Sequence, residues 1–128
     1  MDEGRRDTPL PGDHDDVLTR VSDELVRAQK RYYGKGPSAA KAYLLDDFLL
    51  VVMRGGRTVA EQTMTDFGQE DLVRTFRQQF EHEMGDRQVA IVEGLTGRTV
   101  LGHQSQLLLT PDAVVELFFF APAPVPAR

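Results

Sequence analysis

Two halves of this chain follow the same order of elements, and this repeat constrains the fold more than any other feature. Each half has an amphipathic stretch, a glycine followed by a cation, and two apolar stretches joined by an acidic turn. The glycine–cation pairs are Gly34-Lys35 and Gly97-Arg98, and the turns are Asp46-Asp47 and Pro111-Asp112. The repeat predicts two αββ units that form a four-stranded antiparallel sheet packed on helices, which is a two-layer α+β fold.

Helical periodicity and capping residues predict three helices. Apolar residues at three- and four-residue spacing indicate a helix over about residues 15–33, and Gly34 suits its left-handed cap. Thr58 and Glu61 match the capping box that starts a short helix ending near Phe67. A long helix follows over about residues 70–95, and either it bends near Gly85 or part of it packs on a second subunit. The predicted buried stripe of this long helix consists of Leu72, Phe76, Phe80, Met84, Ile91 and Leu95.

The apolar stretches predict strands over residues 39–45, 48–54, 99–109 and 113–120. Polar residues rarely alternate with apolar ones in 48–54, which places that strand in the centre of the sheet. Asp46-Asp47 is interpreted as a turn and not as a catalytic pair, because neighbours on a strand point to opposite faces. Pro111 is expected in a type I turn.

The length of 128 residues suggests a single domain, with expected bounds at residues 13–120. Residues 1–12 are mostly polar and are interpreted as a disordered N-terminal segment. Residues 121–128 form a proline-rich tail that we expect to be extended, with a proline-binding partner as the alternative.

Composition excludes several classes of function. The net charge of −5, from 20 acidic and 15 basic residues, argues against general nucleic-acid binding, because displacing counterions from phosphates needs a basic face. The chain has no cysteine, which excludes disulfides, thiolate metal sites and a cysteine nucleophile. No stretch matches the roughly 20 apolar residues of a membrane span. No signal peptide is recognisable, so we expect a cytoplasmic protein without direct membrane insertion.

No catalytic signature is present in the sequence. The histidines His14, His82 and His103 lack the spacing of a zinc site, and His103 has no evident partner. Ser105 lacks the glycine context of a nucleophile elbow. We therefore expect a protein that is not an enzyme and that uses no metal or cofactor.

The turn after the first helix is the strongest candidate for a binding site. Its glycines can turn backbone N–H groups toward an anion, and the nearby cations add positive charge. A small planar anion such as bicarbonate or formate is the expected ligand. The alternative is that Gly34 only caps the helix and the cations are solvated. The predicted ligand-binding residues are Arg31, Tyr33, Gly34, Lys35, Gly36, Lys41 and Arg54.

Five arginines form a second cationic set that has two open interpretations. Either they complete the anion pocket, or they form ordinary salt bridges with nearby carboxylates. These residues are Arg54, Arg57, Arg74, Arg77 and Arg98.

Phe118-Phe119-Phe120 places three aromatic residues in a row at the end of the last strand. Strand alternation sends at least one of them to the outer face of the sheet. Self-association hides such a face, so we expect a homodimer. The alternative is that the three rings form the buried edge of a monomer core.

Several blocks of the sequence resemble one bacterial family of uncharacterised domains. They are Tyr33-Gly-Lys-Gly-Pro37, Ala42-Tyr-Leu-Leu-Asp-Asp47, Arg54-Gly-Gly56, Glu70-Asp-Leu-Val-Arg-Thr-Phe-Arg77 and Leu95-Thr-Gly-Arg-Thr-Val100. In this order, over about residues 14–120, they resemble the MpsC-like family, which is named for a Na⁺-translocating membrane-potential-generating system. The resemblance implies a small, soluble accessory or regulatory protein, often encoded near a two-component membrane system linked to ion transport and bicarbonate uptake. It implies no catalytic residues.

Two functional hypotheses follow from the sequence. The first is a non-enzymatic accessory or regulatory domain that binds or senses a small carboxylate-like anion such as formate or bicarbonate. The second is a protein-interaction subunit of a bacterial membrane ion or bicarbonate transport system, without a small ligand, which docks through its open sheet face or its tail.

Overall fold

The elements follow the order α-β-β-α-α-β-β, so each pair of strands comes after a helix as the repeat predicts. The structure is a computed structural model that describes residues 11–122, with side chains described from residue 15 onward. Within this part of the chain the elements are α1 (Pro11–Tyr33), β1 (Ala39–Leu45), β2 (Phe48–Arg54), α2 (Val59–Asp66), α3 (Glu70–Thr96), β3 (Val100–Leu108) and β4 (Ala113–Phe120).

The four strands form one antiparallel sheet in the order β1-β2-β4-β3. This confirms the predicted α+β fold and the central position of β2. Helix α1 packs on β1, α3 packs on β3, and the two helices contact each other on the same side of the sheet. The molecule therefore has two layers, and no helix of the described residues covers the second face of the sheet.

The hydrophobic core lies between the helices and the inward-facing residues of the two central strands. Leu49 and Val51 of β2 and Phe118 of β4 are completely buried, as are Val21 and Leu25 of α1. Burial of a side chain of this size contributes roughly 1.5–3 kcal/mol. This core holds the helical layer against the centre of the sheet.

Helix α1 begins at Pro11, four residues before the predicted start near residue 15. Proline suits the first helical position because its missing N–H has no intrahelical partner there. The helix ends at Gly34, which has φ = +95° and donates its N–H to the Lys30 carbonyl at 3.1 Å. Residues 1–10 and 123–128 lie outside the described part of the chain, and most of the predicted N-terminal segment and proline-rich tail falls there.

The capping box that starts α2 is confirmed. The Thr58 hydroxyl accepts a hydrogen bond from the Glu61 N–H at 3.1 Å, and Glu61 Oε1 accepts one from the Thr58 N–H at 2.9 Å. These two bonds satisfy backbone donors that no carbonyl of the helix can reach. They also fix the Glu61 side chain against the first turn of α2.

The buried face of α3 differs from the predicted apolar stripe. Leu72 is 56% exposed and Phe76 is 59% exposed, so the stripe is wrong in the first half of the helix. Polar side chains occupy part of the buried face. They form hydrogen bonds or ion pairs with residues of other elements. The buried residues are Val73, Arg77, Glu81, Met84, Gln88 and Val92. The helix is continuous through Gly85 and ends at Gly97, which takes the left-handed conformation.

The connection between β3 and β4 contains the predicted turn residues Pro111 and Asp112, and the Thr110–Pro111 peptide bond is cis. The type I geometry of this turn stays a prediction. The Asp46-Asp47 turn is confirmed between β1 and β2, and Asp46 has a positive φ of 52°.

Candidate functional site

The predicted anion-site residues lie on different surfaces of the molecule. The Gly34 N–H is used to cap α1, and the Lys35 ammonium donates to the Arg57 carbonyl at 3.0 Å. Gly36 lies against α1, where an added Cβ would be 3.2 Å from the Lys30 Cβ. Gly34 therefore caps α1, as the alternative interpretation of this turn expects. Anion binding at the turn stays a prediction.

The remaining members of that set point away from the turn. The Tyr33 ring packs against Phe80, with 4.6 Å between ring centroids, on the α3 side of the molecule. Lys41 lies over the Tyr43 ring at 5.3 Å on strand β1, and Arg54 is exposed at the end of β2. The structure therefore does not bring Tyr33, Lys41 and Arg54 together.

Arg31 lies in a groove between α1 and α3 that is rich in cations. Arg27, Lys30, Arg31 and Arg87 line this basic groove, whose volume is about 680 Å³. Two guanidinium groups lie near the Tyr32 ring, with Arg31 Cζ at 5.2 Å and Arg87 Cζ at 4.3 Å from its centroid. Glu24 is the carboxylate in the lining, and it pairs with Arg27. The basic groove is thus a cationic surface that the sequence analysis identified only through Arg31.

Two carboxyl groups are buried between the helices and the sheet. Glu81 of α3 is 1% exposed and Glu116 of β4 is completely buried. Gln88 Nε2 lies 3.3 Å from Glu81 Oε1 and 3.3 Å from Glu116 Oε2, so one amide donates to both carboxyl groups. Gln29 of α1 donates to Glu81 Oε2 at 2.7 Å. This carboxyl cluster connects α1, α3 and β4.

Two residues of β3 extend the cluster toward the edge of the sheet. His103 Nε2 lies 2.7 Å from Glu116 Oε1, and the Ser105 hydroxyl donates to the same oxygen. The His103 ring stacks on Phe118, with 4.6 Å between ring centroids. The expectation that His103 has no partner is therefore wrong.

Burial controls the protonation of this cluster. Desolvation raises the pKa of Glu81 to about 8, and the adjacent Glu116 adds to the increase. Burial also raises the pKa of Glu116 and lowers the pKa of His103, because each charged form loses hydration. At neutral pH the pair of carboxyl groups therefore holds a proton.

The geometry of the cluster differs from that of a hydrolase triad. In a triad the carboxylate and the serine hydroxyl meet different nitrogens of the histidine ring. Here Ser105 and Glu116 both meet Nε2 of His103. Among the described residues, no group of three His, Cys, Asp or Glu side chains is placed to hold a metal ion.

A second buried network joins α2, α3 and the turn before β4. Arg77 Nη1 lies 3.1 Å from Asp112 Oδ1, and Arg77 Nε lies 3.6 Å from Glu61 Oε2. Asp112 Oδ2 accepts the Arg57 N–H at 3.2 Å. Burial raises the pKa of Glu61, and the nearby Arg77 guanidinium opposes this increase.

The salt-bridge interpretation of the arginines is confirmed for two exposed pairs. Arg74 pairs with Asp71 at 2.9 Å, and Arg98 pairs with Asp47 at 3.1 Å. The partners of the buried Arg77 were not predicted, since Glu61 and Asp112 are distant from it in the sequence.

The face of the sheet opposite the helices is apolar. Phe48 lies opposite Phe119, with 5.8 Å between ring centroids, and Leu50 lies opposite Leu117 in the strand register. Leu45 is 51% exposed, Phe119 is 44% exposed and Tyr43 is 42% exposed. We call this surface the outer sheet face, and its apolar residues are Tyr43, Leu45, Phe48, Leu50, Val52, Val115, Leu117 and Phe119.

The apolar part of the outer sheet face spans three strands, because β3 contributes Gln104 and Gln106 to the same face. Three strands about 4.8 Å apart, each with about seven residues at ~3.4 Å, give a flat area of roughly 340 Å². Side-chain relief increases the accessible area beyond this value. Contiguous apolar patches above a few hundred Å² usually mark an interaction site.

Comparison with known proteins gives one match. A family model described as "Na+-translocating membrane potential-generating system (MpsC)" matches residues 15–122. The chain belongs to the MpsC family. The matched range covers all seven helices and strands except the first residues of α1. No curated protein and no solved structure matches the chain.

The family description connects this MpsC protein with a membrane system that translocates Na⁺. Within residues 11–122, none of the helices combines the length and the apolar character that a bilayer span requires. The predicted cytoplasmic location and the predicted homodimer stay predictions.

Proposed function

We propose that this MpsC protein is a non-enzymatic interaction subunit that docks, through its outer sheet face, onto a protein of the membrane system for which the family is named. The observation that carries the proposal is the apolar surface of a four-stranded sheet that no described element covers. Membership of the MpsC family supports a partner that belongs to a membrane system.

The charges at the edge of the outer sheet face indicate what kind of partner surface fits it. Lys41 and Arg54 are exposed at one end of the face, and the strands contribute no carboxylate to it. A partner with an apolar centre and acidic groups that face this end would pair with both cations.

The proposal can be tested by co-sedimentation with membranes that contain the integral proteins of the system. Phe119→Glu places a charge in the outer sheet face, while Gln79→Glu places the same charge on an exposed position of α3. We expect wild type and Gln79→Glu to sediment with the membranes and Phe119→Glu to remain in the supernatant. Phe119 is 44% exposed, so we expect its substitution to leave the fold intact, and circular dichroism checks this.

Two outcomes of that experiment would contradict the proposal. Equal sedimentation of Phe119→Glu and wild type would show that the outer sheet face does not hold the protein to the membrane. Equal sedimentation with protein-free lipid vesicles would show that the binding partner is lipid.

The basic groove supports a second candidate function, which is the binding of a small anion. Arg31, from the predicted site, lies there with Arg27, Lys30 and Arg87. Guanidinium groups bind planar carboxylates through two parallel hydrogen bonds, which suits formate and bicarbonate.

Thermal unfolding in formate, bicarbonate, acetate, phosphate and sulfate at matched ionic strength tests this second function. A ligand at 100 times its Kd stabilises the protein by ~2.7 kcal/mol. We expect a selective shift that disappears in Arg31→Gln and Arg87→Gln and persists in Lys41→Gln, because Lys41 lies outside the groove. A shift of the same size with every anion would show general salt stabilisation instead.

A further inference from the structure

Strand β1 has one edge that no other strand of the described residues pairs with. In the sheet order β1-β2-β4-β3, β1 lies at the end and pairs only with β2. An edge strand directs the N–H and C=O groups of every second residue away from its neighbour. These backbone groups of β1 can therefore form hydrogen bonds with an added strand.

A groove runs along this edge, between β1 and α1. Its two sections have volumes of about 430 Å³ and 360 Å³, and they share Asp23 and Ala40. We call it the edge groove. Residues 37–42 form its β1 wall. The residues of the α1 wall that matter here are Asp15, Leu18, Ser22, Asp23, Val26 and Arg27.

The two walls of the edge groove have the length of a short extended peptide. Residues 37–42 span about 20 Å at ~3.3 Å per strand residue. Residues 15–27 of α1 span about 18 Å at 1.5 Å per helical residue. A peptide of about six extended residues therefore fits between them.

The β1 wall leaves its backbone accessible to such a peptide. Ala39, Ala40 and Ala42 have small side chains, so little bulk stands beside the N–H and C=O groups of the edge. Partly buried Leu18 and Val26 of α1 give the groove an apolar floor. Peptides that add a strand to a sheet edge bind through main-chain hydrogen bonds, and side-chain contacts supply the specificity.

Exposed carboxylates in the α1 wall indicate which side chains the added strand carries. Asp15 and Asp23 are exposed, and none of the salt bridges among residues 15–122 includes either of them. The cations of the lining do not neutralise them, because Arg27 pairs with Glu24 and Lys41 belongs to the outer sheet face. The α1 wall therefore complements a basic peptide.

The distance between the two carboxylates sets the spacing of the basic residues. Asp15 and Asp23 are eight residues apart, which corresponds to about 12 Å along α1. Residues i and i+4 of an extended strand point to the same face and lie about 13 Å apart. Leu18 and Ser22 line the groove between the carboxylates, which suits a small apolar side chain at i+2.

We propose that the edge groove binds an extended peptide segment of a partner protein, which adds a strand beside β1 and carries Arg or Lys at positions i and i+4. The main chain of the segment pairs with β1, and its basic side chains pair with Asp15 and Asp23. The edge groove lies on the helical side of β1, so this binding does not depend on docking through the outer sheet face.

The experiment titrates the ¹⁵N-labelled protein with the capped peptide Thr-Arg-Thr-Val-Thr-Arg-Thr, whose arginines and valine share one strand face. The control peptide Thr-Arg-Arg-Val-Thr-Thr-Thr has the same charge but a different arginine spacing. We expect the first peptide to bind about fivefold more tightly, since one exposed ion pair corresponds to a factor of that order.

Amide hydrogen exchange detects the strand pairing itself. Binding of the first peptide should slow exchange at every second residue of β1 and leave β3, the other edge strand, unchanged. A peptide with proline at its two central positions lacks N–H groups that the pairing needs, so we expect it to bind about tenfold more weakly.

Two charge-reversal variants locate the binding. Asp23→Arg removes one carboxylate of the α1 wall and repels the peptide, so its affinity should fall about tenfold. Asp86→Arg makes the same change of charge at an exposed position of α3, outside the edge groove, and should bind as wild type does. The ¹⁵N spectra of the free variants check that both are folded.

Each of five results would overturn the proposal. Equal affinities for the two arginine spacings would show general electrostatic attraction. Unchanged binding to Asp23→Arg would place the peptide elsewhere, and unchanged exchange in β1 would show that the peptide does not pair as a strand. No binding of any peptide at millimolar concentration would show that the groove takes no such segment. Protection of β1 that increases with protein concentration, without peptide, would assign the edge to a second copy of this chain.

Discussion

Replacing Glu81 with glutamine should change how the stability of this protein depends on pH. Glu81 is buried among Gln29, Gln88 and Glu116, with His103 and Ser105 bonded to the far side of Glu116. Glutamine has the shape of a protonated glutamic acid, since its NH₂ replaces the O–H as a donor. The variant therefore mimics the protonated form of Glu81 at every pH.

The magnitude follows from the pKa of Glu81, which burial raises from 4.5 to about 8. Below pH 4.5 the group is protonated in both the folded and the unfolded chain, so its stabilising contribution is complete there. As the pH rises toward 8, the unfolded chain ionises while the folded protein keeps the proton, and stability falls. The slope is at most ~1.4 kcal/mol per pH unit, which gives a loss of roughly 3–4 kcal/mol between pH 5 and pH 8.

Urea denaturation at pH 5, 6, 7 and 8 measures this effect. We expect the stability of Glu81→Gln relative to wild type to increase by roughly 3 kcal/mol between pH 5 and pH 8. This comparison holds even if the substitution lowers stability at every pH. Glu83→Gln, at an exposed position of the same helix, is the control and should run parallel to wild type. If Glu81→Gln also runs parallel to wild type, Glu81 does not hold a proton in the folded protein.

Other variants test the remaining contacts by urea denaturation at pH 7. Arg77→Met should lower stability by roughly 3–5 kcal/mol, because it leaves the buried Glu61 carboxyl group and the half-buried Asp112 carboxylate without their cation. An effect below about 1 kcal/mol would show that this pair is solvated. Thr58→Ala should cost about 1 kcal/mol through loss of the capping box, and no change would mean that the box is absent in solution. Phe119→Ala should lower stability by roughly 1–2 kcal/mol, since about half of its ring is buried and it pairs with Phe48, and a loss of about 3–5 kcal/mol would show that it belongs to the core.

The parts of the fold that local sequence determines were predicted correctly. The αββ repeat gave the four antiparallel strands, and the bounds of β1, β2 and β4 match the prediction. Gly34 and the pair Thr58 and Glu61 were recognised because capping depends on residue type at fixed spacing. In each of these cases the relevant partners are near one another in the chain.

The carboxyl cluster was missed because its partners are distant in the sequence. A usable signal was present in β4, where Val114, Glu116 and Phe118 share one face by strand alternation. A carboxyl group between two core residues must be buried with partners or protonated. On α3, the seven-residue spacing of Glu81 and Gln88 places both on one helical face, which identifies a candidate for those partners.

The predicted anion site shows that residues next to one another in the sequence can lie on different surfaces of the fold. Residues 31–36 are adjacent in sequence, but the side chains of Arg31, Tyr33 and Lys35 leave the chain in different directions around the end of α1. Which residues share a groove depends on the packing of α3 against α1. That packing brings Arg87 to Tyr32, and no pattern in the sequence indicates this contact.

Photo-crosslinking from the outer sheet face tests the docking function most directly. A benzophenone amino acid replaces Tyr43 on β1 or, as the control, Val59, which is 81% exposed on α2 in the helical layer. In cells that contain the membrane system, we expect the probe at position 43 to crosslink to an integral membrane protein of that system and the probe at position 59 to give no such product. Crosslinks from position 43 that join only two copies of this chain, or an integral protein captured equally from both positions, would contradict docking through the outer sheet face.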